Sequence, residues 1–93
     1  MGFSVTDGGV ILTGTVDIDD AADLQKALIE LGKSGSSKIS VDAAGVEDVD
    51  ISILQLLYVA LSTFKKTDQS LTINNPSTAF RRRRFQSGSF LPI

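Results

Sequence analysis

The 93-residue sequence has no cysteine, no histidine and no tryptophan, and only two prolines. Without cysteine there is no disulfide framework, no thiolate metal site and no cysteine nucleophile, a composition that fits a reducing compartment and an expectation of a cytoplasmic protein. Without histidine, the commonest general base and the commonest metal ligand are both missing, which removes most familiar hydrolase and zinc mechanisms. Carboxylates and hydroxyls remain, and no set of nucleophile, base and oxyanion donors can be assembled from them, so the expectation is no enzyme and no cofactor. Long apolar runs are absent too. Nothing approaches the roughly 18 apolar residues that span a bilayer, and Met1 to Thr6 offers neither a basic start nor a long apolar stretch, so neither membrane insertion nor export is expected.

What is present is enough for one domain over residues 1–93, near the lower end of what buries a core unaided, with 42% hydrophobic residues. The net charge of −2 hides an uneven distribution: residues 1–64 carry ten acids against three lysines, whereas residues 65–93 carry six bases and Asp68.

Phe3 to Thr6 and Val10 to Thr13 are β-type runs separated by Asp7-Gly8-Gly9, glycines that suit the positive φ angles of a tight hairpin. Asp19 or Asp20 can cap a first helix with Leu24, Ala27, Leu28 and Leu31 on one stripe and Gly32 as its terminator. Lys38 to Asp42 reads as a strand, followed by a loop through Gly45. Asp50 then caps a strongly apolar second helix from Ile51 to about Lys65. Ser70 to Asn74 reads as the last strand, and Asn75 as the cap of a third helix with Pro76 at its first position and Gly88 at its end.

The order β-β-α-β-α-β-α, with two strand-helix-strand units, implies an α/β fold with a four-stranded mixed sheet: an N-terminal hairpin, then parallel pairing through right-handed crossovers. Lys38 to Asp42 and Ser70 to Asn74 alternate strictly, so only one sheet face is buried. Helices confined to that face give strand order 1-2-3-4, with Ser4, Thr6, Thr13, Ser40 and Thr72 on the bare side.

In such a sheet the loops after the parallel strands gather along one edge, where open α/β folds usually work. Here Asp17, Asp19, Asp20, Asp23, Asp42, Glu47, Asp48 and Asp50 fall in or beside them. Three readings stay open: helix caps and solvated acids, a docking edge for a basic partner, or a divalent-cation site.

Val41 to Leu57 is the most informative stretch: a strand ending in aspartate, a short passage through Val46, then Asp50-Ile51-Ser52-Ile53-Leu54 opening the central helix. It resembles the signature of the STAS family, the domain shared by sulfate transporters and anti-sigma factor antagonists. Leu12-Thr13-Gly14-Thr15-Val16-Asp17-Ile18 is similar to the family's leading segment, and Asn74-Asn75-Pro76-Ser77 with Ser87-Gly88 to its closing one, so the resemblance covers about residues 10 to 90. It implies the one-sided fold and a stand-alone regulatory module that binds an anti-sigma factor, a serine-kinase-like protein or a complex subunit. The implied docking residues are Asp17, Asp48, Asp50, Ile51, Ser52, Ile53 and Gln55. Ser52 takes the place of the serine that a partner kinase phosphorylates in antagonist-type members, in a first turn whose free amides and dipole can hold a phosphate. Ile51 stands where the family has another serine and Ile53 where it has glycine. The alternative the resemblance leaves open is a constitutive adaptor in a lipid-transport or chemosensory complex, without phosphorylation.

Arg81 to Arg84 sweep about 300° of a helix, so they cannot share one solvated strip. They are expected to lie over the core with heads in water and acids as partners, with a partner-binding patch as the alternative. A nucleic-acid partner is not expected, because the net charge is negative and no aromatic platform accompanies the run. Phe90, Leu91 and Ile93 form an apolar tail that could fold back or pack on another copy, which leaves a homodimer open.

Overall fold

The computed structural model describes residues 2–86, without the side chains of residues 84–86. The element order is β1 (Phe3–Thr6), β2 (Gly9–Val16), a 3-10 turn (Ile18–Asp20), α1 (Ala21–Lys33), β3 (Lys38–Val49), α2 (Ile51–Lys66), β4 (Ser70–Asn74) and α3 (Thr78–Gln86). The sheet runs β1-β2-β3-β4, antiparallel at the hairpin and parallel thereafter, as the sequence pattern implies.

One side of each strand feeds a single core. Val10, Leu12, Val16, Ile39, Val41, Val49 and Leu71 meet Leu24, Leu28, Ile53, Leu54, Leu57 and Phe80 from the three helices, while Ser4, Thr6, Thr13 and Thr72 are exposed on the other side. Among the described residues the core contains no polar or charged side chain, so it draws its stability from burial at about 25 cal/mol per Å² of apolar surface.

The hairpin closes differently from the expectation. Thr6 pairs with Gly9, leaving Asp7-Gly8 as the turn, and neither Gly8 nor Gly9 has positive φ. Gly9 is required for close approach, since a Cβ there would overlap the Ser40 carbonyl oxygen. Gly32 does not end α1 either. The helix runs to Lys33, the left-handed residue is Gly35, and Gly32 lets α1 approach Phe64 of α2, whose ring a Cβ would meet at 2.8 Å. That helix end is clamped by Gln69, whose amide donates to the Gly32 carbonyl (3.0 Å) and the Ser36 carbonyl (2.8 Å) while its oxygen accepts from the Thr67 hydroxyl (2.6 Å). Gln69→Ala is therefore expected to cost about 1–3 kcal/mol in urea denaturation, through two lost bonds to half-covered carbonyls.

The largest correction concerns β3. The expected loop through Gly45 is strand, paired with β2 as far as Val16 opposite Val49. Two irregularities set an extra β3 residue against β2, between Ile11 and Thr13 and again between Gly14 and Thr15. They change the burial period from two to three, so that Ala43, Val46 and Val49 all point into the core. Aspartates serve the displaced amides: Asp42 accepts from Ala44 N and Asp48 from Val49 N, each at 2.9 Å.

β4 pairs only with Lys38 to Asp42, and α3 takes the edge of β3 beyond it. Ser77, not Asn75, is the cap. Its amide donates to the Ala43 carbonyl (3.1 Å), its hydroxyl donates to the Val46 carbonyl (2.7 Å) and accepts from Phe80 N (3.1 Å). Asn75 adopts φ 52°, turning the chain before the helix, so Pro76 lies outside it. Gly88 and the tail at Phe90, Leu91 and Ile93 fall outside the described residues.

Candidate functional site

The ends of β2 and β3 and the start of α2 converge on one rim. Val16 ends β2 buried, and its carbonyl accepts from Asp50 N at 2.9 Å, which fixes the head of α2 beside the turn at Asp17. That turn is capped by Asp17, while Asp20 holds the expected N-cap position of α1 without a side-chain bond to that helix. The Asp17 carboxylate accepts from Asp19 N (3.0 Å), and Asp20 reciprocates by accepting from Asp17 N (3.2 Å), a capping box in which two orphan amides find partners. Asp20 also accepts from Gly2 N at 3.3 Å.

Asp50 caps α2, its Oδ1 accepting from Ser52 N at 2.9 Å. The Asp50 carboxyl is held below the usual aspartate range, first by this amide and then by the Ser52 hydroxyl, which falls outside hydrogen-bond geometry; slight burial opposes them and the positive Arg83 adds a smaller pull. A carboxyl easier to ionise in the folded chain adds stability above the unfolded aspartate pKa, and that contribution is lost as pH falls through the lowered folded value. The gap in thermal midpoint between the wild type and Asp50→Asn is thus expected to shrink on acidification, as measured by circular dichroism melts across an acidic pH series.

Between these elements lies an open cleft of about 190 Å³, lined by Thr15, Val16, Asp17, Asp48, Asp50, Ile51 and Arg83. Arg83 comes from α3, one turn after the buried Phe80, and its Nη2 pairs with Asp48 Oδ1 at 3.1 Å. Arg81 and Arg82 are exposed, so among the described side chains of the run it is Arg83 that turns toward the rim.

Of the residues expected at a docking edge, Asp17, Asp48, Asp50 and Ile51 meet in this cleft, and Gln55 is exposed one turn along α2. Ile53 is fully buried in the core and presents nothing at the rim. Ser52 is half-buried, and its hydroxyl is covered by protein and makes no hydrogen bond. Asp42 lies away from the rim, opposite Asn74 in the middle of β3. Among the described residues no group of three or more acids is placed to hold a metal ion. Arg83 is the site residue that sequence reasoning missed. The 300° sweep of the run ensures that some arginine faces inward, but which one depends on α3 starting at Thr78.

A family model described as "Mlab, STAS domain" matches residues 2–86. Among solved structures, the anti-sigma factor antagonist SpoIIAA in its unphosphorylated form superposes with a TM-score of 0.72 at 20% identity, over 94% of this chain and 81% of that one. An anti-sigma factor antagonist from Mycobacterium paratuberculosis gives 0.72 at 19% identity, over 92% and 74%. No curated protein matches the chain. At these identities the superpositions establish the fold.

Proposed function

Because the chain belongs to the STAS domain family, we propose that it is a regulatory docking module of the anti-sigma factor antagonist type, which binds a protein partner in the cytoplasm through the rim at the head of α2. The observation that carries this reading is Ile51. It heads α2 with 39% of its surface exposed, beside the charged Asp50 and on the border of a cleft holding Asp17, Asp48 and Arg83. An apolar anchor ringed by fixed charges is the anatomy of an interface centre. The antagonists among the structural relatives are named for opposing an anti-sigma factor, and a protein of that class is the partner proposed for this chain. Among the described residues no helix is long and apolar enough to cross a membrane.

The test is binding to a purified partner by calorimetry. Ile51→Asp is expected to weaken it at least about tenfold, as loss of an interface anchor does, while Thr72→Ala on the bare sheet face leaves it unchanged. Equal affinity for wild type and Ile51→Asp would refute rim docking.

A second reading adds phosphorylation of Ser52, and it draws on the relative described in an unphosphorylated form. A phosphate would add about −1.5 to −2 charges beside Asp48 and Asp50 and oppose docking. The covered hydroxyl means that a kinase must first open the turn, which favours the unswitched, constitutive form of the module. Mass spectrometry after incubation with a cognate serine kinase and ATP separates the two: an unmodified Ser52 removes the switch and leaves docking untouched.

A further inference from the structure

Two apolar surfaces on this chain are bordered by charge of opposite sign. The first is a groove of about 220 Å³ between α1 and α2, lined chiefly by Leu28, Ile29, Leu56, Val59 and Phe64. Ile29 is 48% exposed and Val59 58%, so the groove opens to the surface. Lys26 and Lys33 stand three residues before and four after Ile29, and Lys66 seven after Val59, spacings that place all three exposed lysines on the stripes bordering the groove. No acid occurs anywhere in α2. The second surface is the tip of the 3-10 turn, where Ile18 is 66% exposed between Asp17 on one side and Asp19 and Asp20 on the other.

The tip cannot enter the groove of its own chain. It is locked by its capping box to the start of α1, and Ile29 lies more than two helical turns further on. We propose that the chain associates with itself head to tail, the Ile18 tip of one copy seated in the α1–α2 groove of the next. The branched aliphatic side chain enters the apolar groove, and Asp17 and Asp19 come to face Lys26, Lys33 and Lys66. Such a contact joins two different patches, so each added copy leaves one tip and one groove free and assembly continues past the dimer. Attraction between exposed charges is screened by salt, so assembly weakens as ionic strength rises. Asp17 also lines the rim cleft, so a seated copy competes with a partner docking there.

Sedimentation velocity of the full chain tests this without any partner. The average mass of the wild type is expected to rise with concentration at low salt and return to the monomer at high salt. Ile18→Asp and Val59→Asp, both at exposed positions and checked for an unchanged circular dichroism spectrum, are each expected to stay monomeric. Mixed in equal amounts they are expected to form a dimer and nothing larger, because the mixture contains one intact tip and one intact groove. A wild type that is monomeric at every salt, assembly that survives Ile18→Asp, assembly that survives Val59→Asp, or a mixture that stays monomeric each overturns the proposal. Because Val59 lies outside the rim, Val59→Asp that binds a partner normally while failing to assemble keeps this question separate from docking.

Discussion

Phe80→Ala is expected to destabilise the chain by about 3–5 kcal/mol, a large share of the 5–15 kcal/mol typical of a domain. Phe80 is 1% exposed and is the largest fully buried side chain among the described residues. It anchors α3, which otherwise depends on Ser77 and its bonds to the edge of β3. Removing the ring leaves a cavity that β3 cannot close, because Val46 and Val49 are fixed by their pairing with β2. The loss extends to the rim, since Arg83 reaches Asp48 only while α3 is seated. Urea denaturation gives the magnitude. Phe80→Leu, which keeps most of the volume, is expected to lose much less, and equal losses for the two variants would contradict the cavity explanation.

Gly9→Ala is the second large effect. The added methyl would overlap the Ser40 carbonyl oxygen and lie 2.8 Å from its carbon, and both belong to the backbone of β3, so no side-chain rotation relieves the clash. β2 and β3 must separate where Gly9 pairs with Ser40, at a cost of about 3 kcal/mol or more. The neighbouring Gly8 is the control: a Cβ there meets nothing within 4 Å, so Gly8→Ala is expected to be tolerated. Urea midpoints for the two variants should therefore differ widely although the residues are adjacent.

Strict alternation in Ser70 to Asn74 marked β4 with its observed limits, and Asp50 before an apolar run marked the start of α2. Alternation also made the sheet one-sided, and the topology followed from the order of elements. Beyond Asp42 the pattern could not be read. Bulges convert a period of two into a period of three, and Ala43, Val46 and Val49 resemble a loop until the register of β3 on β2 is known. At the third helix, Asn-Pro is an ordinary cap signal, but the tertiary contact of Ser77 with β3 overrides it.

The rim was legible in part for a related reason. Asp17, Asp48, Asp50 and Ile51 end or begin elements, and the topology alone brings such positions together. The facing of Ile53 was not, because α2 is apolar nearly all round and periodicity cannot say which flank meets the sheet. Nor was the covered hydroxyl of Ser52, which depends on neighbours distant in sequence. Arg83 enters the site from the last helix through one ion pair, and its place in the run gives no hint of which acid it meets.

Rim docking is tested most directly by backbone amide resonances of the full chain during titration with a purified partner. Docking at the head of α2 predicts that the largest shifts fall on Asp17, Asp48 to Ser52 and Gln55, with Ser4, Thr6 and Thr72 on the bare sheet face unmoved. Shifts concentrated on that sheet face, with Asp50 and Ile51 unchanged, would contradict it.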